Sequence, residues 1–186
     1  NTIELMDGQI KVADLTFPRQ KKSGGLCLSD YVSPDSRFID NVGFFVVTVG
    51  QGVREKSTEL KNNGDYLNSH ILQALALESA EAYAELLHSQ LRKAWGYPDQ
   101  LEMTMMERFQ AKYRGKRYSF GYPACPRLDD QAILFGLLNP KNIGVELSDG
   151  FMMEPEASVS AIVFHHPQAT SFSVGVTGEA GNENRA

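Results

Sequence analysis

Hydrophobic and polar residues alternate near both ends of the chain, whereas its middle follows a helical period. Residues 3–12, IELMDGQIKV, alternate around Asp7-Gly8, a dipeptide that predicts a β-hairpin because both turn positions need positive φ. The run FIDNVGFFVVTVG, residues 38–50, is rich in β-branched and aromatic residues between glycines, which predicts a strand. Residues 157–172, ASVSAIVFHHPQATSF, alternate again, so odd and even positions of this late strand should face opposite sides of a sheet.

The longest regular pattern is helical and runs from Asp65 to Ala94 without glycine or proline. A helix of this length is roughly 45 Å long at 1.5 Å per residue. Gly96 and Pro98 are expected to end it. Its apolar positions follow the helical period: Leu67, Ile71, Ala74, Leu75, Ala82 and Leu86.

Two shorter helices are predicted after the long one. LEMTMMERFQAKYRG, residues 101–115, should be closed by Gly115, and LDDQAILFGLLNP, residues 128–140, has an acidic first turn and a proline at its end. Strands therefore come first, helices occupy the middle and strands return. This order predicts an α+β fold with an antiparallel sheet rather than alternating βαβ units.

The segment RYSFGYPACP, residues 117–126, suits neither a regular helix nor a regular strand because it combines glycine, two prolines and three aromatic rings. Arg117 offers a planar donor fork that matches a carboxylate or a phosphate. The stiff aromatic segment beside it would suit a flat ligand with a carboxylate. A solvated arginine next to a packing corner explains the same residues, so both interpretations remain open.

Glu81 is the second candidate for ligand binding. It lies on the predicted long helix on the same side as Ala74, Leu77 and Ala84, and the small neighbours leave room for a ligand ammonium group. The alternative is an acid at a solvated helix edge. The neighbouring Glu78 and Glu85 are expected to lie at the surface.

Composition narrows the range of partners. The chain has 186 residues, which suits one domain, and its 42% hydrophobic and 22% charged residues are typical of a globular protein. A net charge of −5 gives no electrostatic basis for binding nucleic acid or an anionic membrane surface. The apolar runs are much shorter than the roughly 20 residues of a membrane span. We therefore predict neither nucleic acid nor membrane as a partner.

The sequence lacks the common catalytic and metal-binding motifs. It contains no GxGxxG, P-loop or GxSxG pattern, and no acid stands at catalytic spacing from Ser158 or Ser160. Cys27 and Cys125 have no CxxC spacing, and no histidine has ligand spacing with them, so we expect reduced thiols and no zinc site. A binding domain whose chemistry takes place on a partner's cofactor fits these observations better than a hydrolase.

Three segments of the chain together carry a family likeness: YRGKRYSFGYPACP, SAEAYAELLHSQLRKAWGY and ASVSAIVFHHP. They resemble the C-terminal activation, or reactivation, domain of cobalamin-dependent methionine synthase. The likeness extends over residues 3–174, nearly the whole chain. Because the first residue is Asn1 rather than methionine, we expect residues 1–176 to be this domain, N-terminally truncated from a larger enzyme, and residues 177–186 to be a flexible tail.

The resemblance implies a single C-shaped α+β domain with a twisted antiparallel sheet that binds S-adenosylmethionine. In that family, cobalamin carries a methyl group from methyltetrahydrofolate to homocysteine, and S-adenosylmethionine restores methylcobalamin after oxidation to cob(II)alamin. The implied partners are the cobalamin-binding domain of the same enzyme and flavodoxin or another flavoprotein reductase, in the cytoplasm. Cobalamin is held by another domain of that enzyme, and zinc only by its substrate domains.

The resemblance also assigns roles to four residues of this chain. Arg117 would bind the methionyl carboxylate bidentately, and Glu81 would lie near the ligand's amino group. Tyr122 would pack beside the ligand, where an aromatic face favours a sulfonium cation. The backbone around Tyr118 would run along the adenine.

The chain departs from the family pattern in two places. Many members have Pro-Ala-Pro after the arginine, whereas this chain has Tyr118-Ser119-Phe120, so the adenine edge is expected to differ. Where the family often has a ligand-contacting tyrosine, this chain has Ser171 followed by Phe172. Two other classes keep the same fold: a stand-alone reactivation factor for a corrinoid protein, and an interaction domain that binds no ligand.

Overall fold

The computed structural model describes residues 1–35 and 37–175, which form strands at both ends and helices between them. Single 3-10 turns lie at Leu28–Tyr31, Leu128–Asp130 and Pro140–Ile143. The helices are α1 (Val53–Asn62), α2 (Tyr66–Ala94), α3 (Met105–Phe109) and α4 (Gln131–Leu138). The strands are β1 (Thr2–Asp7), β2 (Ile10–Thr16), β3 (Gly43–Thr48), β4 (Lys116–Tyr118), β5 (Glu146–Leu147), β6 (Met153–Glu154) and β7 (Ser158–Phe164).

The central sheet has the strand order β3-β7-β4, and β7 is antiparallel to both neighbours. The predicted hairpin at Asp7-Gly8 is confirmed as the antiparallel pair β1-β2, and β5 and β6 form a second small hairpin. The α+β class with antiparallel pairing is therefore confirmed. The strands of the described residues are divided among three sheets, however, rather than forming one.

Strand β7 is buried on both faces along its whole length. Ile162 and Phe164 pack into a core that also contains Tyr31 and Leu134. The opposite face packs against α2, through Val159, Ala161 and Val163. The predicted alternation is thus confirmed, and each set of positions belongs to a different hydrophobic core.

Helix α2 matches the predicted span, since the Asp65 side chain caps its first turn and its last residue is Ala94. Its buried face, however, does not consist of the leucines that reveal its period. Leu67 is 71% exposed and Leu75 is 61% exposed. The residues buried along α2 are Ser69, Ala76, Ala80, Ala84, His88 and Arg92. The small residues among them, from Ser69 to Ala84, allow the helix to approach the sheet closely.

Two predictions about the region after α2 are wrong. The second helix covers only Met105–Phe109, because Ala111 takes a positive φ of 49° and directs the chain away from the helix axis. Gly115 therefore does not close a helix but precedes β4. Arg117 and Tyr118 lie on β4 rather than on a loop, because pairing with β7 imposes extended backbone on this segment. Helix α1, residues 53–62, was not predicted.

We expect Ala80→Leu to lower the free energy of unfolding by about 1–3 kcal/mol, because added methyl groups in a closely packed helix–sheet contact force strained rearrangement. Ala80 is 1% exposed. The control, Ala82→Leu, adds the same atoms to an exposed position of the same helix and should change stability by at most about 0.5 kcal/mol. Urea denaturation measures both. Equal losses would contradict the assignment of the buried face.

Candidate functional site

Strand β4 directs Arg117 and Tyr118 to opposite sides of the central sheet. Arg117 pairs with Val163 of the α2-facing core, and Tyr118 pairs with Ile162 of the other core. Successive side chains of a strand alternate between faces, so Arg117 projects toward α2. β4 is also an outer strand, and one of its edges carries backbone groups that β7 does not use.

Gly115 allows β4 to lie this close to β7. Its φ is +79°, and a Cβ added there would lie 2.5 Å from the carbonyl oxygen of Phe164. Any side chain at this position would therefore push the start of β4 away from its partner. The position of the start of β4, and hence of Arg117, thus depends on this glycine.

Arg117 forms ion pairs with two glutamates of α2. Its Nη1 donates a short hydrogen bond to Oε2 of Glu85, and its Nη2 lies 3.3 Å from Oε2 of Glu81. The spacing of four residues places both carboxylates on one side of the helix. The hydroxyl of Tyr113 also donates to Oε2 of Glu85, at 2.9 Å. Tyr113 and Arg117 thus meet two carboxylates of α2 that lie 28 to 36 residues earlier in the chain, at one edge of the sheet.

A buried arginine lies behind this cluster. Arg92 is 1% exposed and donates two hydrogen bonds to Asp99, from Nε at 2.6 Å and from Nη2 at 2.8 Å. Its Nη2 also lies 3.4 Å from Oε1 of Glu85, and its guanidinium carbon is 3.6 Å from the centre of the Tyr113 ring. These donors, chiefly Arg92, hold the pKa of Asp99 below its usual range.

His88 is fully buried beside the same cluster. Its ring meets Tyr113 edge to face, with centroids 5.2 Å apart, and neither ring nitrogen has a hydrogen-bond partner among the described residues. Burial lowers the pKa of His88 to about 3, and the positive charges of Arg92 and Arg117 act in the same direction. His88 is therefore neutral at pH 7 in the folded protein.

Tyr118 is an anchor of the aromatic core. Its hydroxyl donates to the carbonyl oxygen of Thr170 at 2.8 Å, and its ring stacks on Tyr31 at an interplanar angle of 14°. Phe172 packs edge-on against it, with ring centroids 6.3 Å apart. Burial raises the pKa of Tyr118 far above its usual range. A ligand at this position can therefore use the backbone around Tyr118 but not its ring.

The segment after β4 forms a tight turn that exposes Tyr122. Gly121 N–H donates to the carbonyl of Cys125 at 2.9 Å, and Cys125 N–H donates back to Tyr122. The Tyr122 side chain is 63% exposed. Val174 N–H donates to the carbonyl of Pro123 at 3.0 Å, which brings the segment containing Ser171 and Phe172 beside this turn.

The predicted site residues thus form two groups. Glu81 and Arg117 meet on the α2 side of β4, whereas Tyr118 and Phe172 pack together on the other side. Tyr122 and Ser171 are exposed near the second group. The predicted tail, residues 177–186, lies outside the described residues.

Sequence reasoning missed the polar residues that surround Arg117. The prediction that Glu85 lies at the surface is wrong, because Glu85 is half-buried against Arg117 and Tyr113. A signal was present in the spacing: Glu81, Glu85, His88 and Arg92 recur at intervals of four, three and four and so form one stripe along the helix.

A groove of about 680 Å³ lies nearby, between α1, α2 and the strand ends around β6. It includes Leu77, one helical turn from Glu81, but neither Glu81 nor Arg117 lines it. Its charged lining consists of mixed acids and bases, among them the ion pair Arg54–Glu154. We therefore place the candidate site at the Arg117 cluster, where the edge of a strand, an arginine and two carboxylates converge.

The described residues, 1–35 and 37–175, contain no cluster of three or more histidine, cysteine, aspartate or glutamate side chains that could hold a metal ion. None of their helices has the length and apolar character needed to cross a membrane.

Together, the fold and the cluster define an α+β domain with a charged site at the edge of its central sheet. A family model described as "Vitamin B12 dependent methionine synthase, activation domain" matches residues 5–184. The chain belongs to this family of activation domains, and the resemblance seen in the sequence is confirmed.

Individual proteins agree with this assignment. The methionine synthases of Mycobacterium tuberculosis and Mycobacterium leprae are 33% and 32% identical to this chain, over 85% and 86% of its length. The chain spans 14% of the length of each of them. The crystal structure of the MetH reactivation domain bound to AdoHcy superposes with a TM-score of 0.88 at 34% identity, covering 93% of this chain and 56% of that one.

We expect Gly115→Ala to destabilise the protein more than Gly64→Ala does. Both glycines have a φ of +79°, so the backbone strain of an alanine is matched, but only at Gly115 would the added Cβ collide with a backbone oxygen; at Gly64 it meets nothing within 4 Å. Strain alone costs about 1–2 kcal/mol for an L-residue. Thermal unfolding compares the two variants, and an equal loss would show that β4 does not need this close approach.

We expect the stability advantage of wild type over His88→Leu to shrink as the pH falls from 7 to 4. The unfolded chain protonates His88 near its ordinary pKa of 6.5, while the folded chain does not until about pH 3. Stability is therefore lost through this range by about 1.4 kcal/mol per pH unit. Urea denaturation at each pH gives the difference, with the exposed His70→Leu as control. A pH-independent difference would show that His88 is not held neutral.

Proposed function

We propose that this chain binds S-adenosylmethionine at the edge of β4 and presents its methyl group during the reactivation of a cobalamin-dependent methionine synthase. The observation that carries the proposal is the meeting of Arg117 with Glu81, which places a guanidinium beside an exposed carboxylate. Support comes from the family to which the chain belongs and from the related reactivation domain that was solved with AdoHcy, S-adenosylhomocysteine.

The chemistry of this donor set fits the amino-acid end of the ligand. Its carboxylate requires a guanidinium, and its ammonium group requires a carboxylate. Arg117 and Glu81 already lie 3.3 Å apart, and the Glu81 side chain is 56% exposed. A zwitterion bound between them would exchange one solvent-screened ion pair for two new ones, which makes the exchange electrostatically favourable.

The other end of the ligand would lie along β4 and the turn after it. Backbone groups on the free edge of β4, around Tyr118, are available to hydrogen-bond the adenine. The exposed ring of Tyr122 would pack on the ligand, and Ser171 or Phe172 would take the place of the family's tyrosine. Because Phe172 is held against Tyr118, Ser171 is the residue freer to reach a ligand.

S-adenosylmethionine, when bound, supplies an electrophilic methyl group on a sulfonium. The residues of this chain bind and orient that group. We propose that the acceptor is cobalamin held by the neighbouring domain of the same cytoplasmic enzyme, after reduction by flavodoxin or another flavoprotein reductase. Residues 1–176 form the domain that positions S-adenosylmethionine, and the chemistry of methyl transfer belongs to the cofactor.

We expect Arg117→Ala to weaken binding of S-adenosylhomocysteine by about 1.5–3 kcal/mol, roughly 10- to 150-fold, the range for a hydrogen bond to a charged group. Isothermal titration calorimetry with the 186-residue chain measures the change. The control variant, Arg37→Ala, removes an exposed arginine that is far from Arg117 in the sequence, and it should leave the affinity unaltered.

Each contrary result has a defined meaning. Equal affinity of wild type and Arg117→Ala would remove Arg117 from the site. Failure of the wild type to bind S-adenosylhomocysteine would contradict the proposed function and favour an interaction domain without ligand.

A further inference from the structure

The protein holds Glu85 much more firmly than Glu81, although both contact Arg117. Oε2 of Glu85 accepts hydrogen bonds from Arg117 and from the Tyr113 hydroxyl, and Oε1 faces Arg92 at 3.4 Å. Glu81 is mostly exposed and meets Arg117 at 3.3 Å. An exposed ion pair contributes little, whereas a half-buried carboxylate with several donors stays in place. Glu85 therefore fixes the guanidinium, and Glu81 is the exchangeable partner.

Glu85 is itself anchored to a buried layer beneath the site. Arg92, which faces Oε1 of Glu85, is fixed by two hydrogen bonds to Asp99. Asp99 in turn accepts a hydrogen bond from Arg108 at 2.7 Å. The ring of Tyr113 packs on the Arg92 guanidinium, so two of the three donors to Glu85, Tyr113 and Arg92, are held by rigid neighbours. The position of Glu85 thus does not depend on a bound ligand.

A fixed arginine recognises a carboxylate more strongly than a mobile one. A free arginine side chain has a large rotamer entropy to lose when it binds. In this structure Nη1 is already held by Glu85, while Nη2 is directed to the exposed Glu81. The cost of ordering Arg117 is therefore met in the folded protein rather than on binding.

We propose that Glu85 is a positioning residue that gives the site its selectivity for ligands with a free carboxylate, by holding Arg117 so that Nη2 faces the exposed side of α2. This inference rests on the proposed S-adenosylmethionine site. Glu85 does not act as an unpaired acid that would repel a carboxylate, because Arg92 and Arg117 flank its two oxygens. Its role is in orientation and not in direct contact with the ligand.

The selectivity is measured with two probes, S-adenosylhomocysteine and decarboxylated S-adenosylhomocysteine, which differ by one carboxylate. The readout is the ratio of their dissociation constants in calorimetry. Glu85→Gln keeps the volume of the side chain but removes its charge, and it should reduce the ratio at least about fivefold by weakening only the carboxylate ligand. Arg117→Ala should reduce the ratio too, and the double variant should lose no more than Arg117→Ala alone.

The matched control is Glu78→Gln, which removes an exposed carboxylate from the same helix and should leave the ratio unchanged. A merely structural role for Glu85 would weaken both ligands equally, and this result would overturn the inference. Tighter binding of S-adenosylhomocysteine by Glu85→Gln would overturn it as well, because it would mean that repulsion outweighs orientation.

A second measurement tests the orientation of Arg117 without any ligand. In nitrogen-15 NMR spectra, the Nη groups of an arginine give separate signals when an ion pair slows rotation of the guanidinium. Arg117 should show separate signals in wild type and in Glu81→Gln, and a single averaged signal in Glu85→Gln. Separate signals in Glu85→Gln would refute the positioning role.

The two measurements distinguish this inference from the proposed function. If wild type binds neither probe, the proposed function fails, while the NMR result still decides whether Glu85 orients Arg117. If wild type binds S-adenosylhomocysteine and the ratio does not respond to Glu85→Gln, the binding site stands and the positioning role fails.

Discussion

The close approach of helix α2 to strand β7 is the contact on which the rest of the structure depends. Ala80 and Ala84 are almost completely buried against Ala161 and Val163, so the helix and the sheet meet with little side-chain volume between them. Larger residues would separate the two layers, as cores packed to crystal-like density do not absorb extra methyl groups. This short distance also brings Glu85, the residue that follows Ala84, within reach of Arg117 on β4. The geometry of the site is therefore a direct result of the alanines.

The same face of α2 changes from apolar to polar without leaving the interior. After Ala84 it continues with His88 and Arg92, both fully buried. Burying a guanidinium is unfavourable unless its partners are also in place, and removal of one partner leaves an uncompensated charge. Asp99 provides that compensation for Arg92. The polar layer is therefore a specific arrangement with little tolerance for change, which suits its proposed role in holding Arg117 in a constant position.

Local patterns in the sequence were sufficient for elements whose period is set by their own residues. The hairpin at Asp7-Gly8, helix α2 and the alternation of β7 are of this kind. Local patterns were insufficient where contacts between distant residues determine the secondary structure. Strand β4, for example, has only three residues, and it is extended because it pairs with β7. Arg117 and Glu81 were found through a motif and a resemblance, and the structure brings them together. Glu85 was assigned to the surface because its partners Arg117 and Tyr113 are distant in sequence, and the helical stripe to which Glu85 belongs does not identify them.

The position of β7 in the chain has a consequence for how the protein is made. Among the described residues, the central strand of the sheet is the last strand to be synthesised, and its contact between Ser158 and Thr48 joins residues 110 positions apart. On a ribosome, β3 and the alanine face of α2 emerge long before their common partner exists. At a translation rate of roughly 5–20 residues per second, these surfaces remain uncovered for several seconds until β7 is synthesised. The central sheet and the arginine site therefore form only after β7 has been synthesised, and nascent chains that stop short of β7 have exposed apolar surface for chaperones to bind.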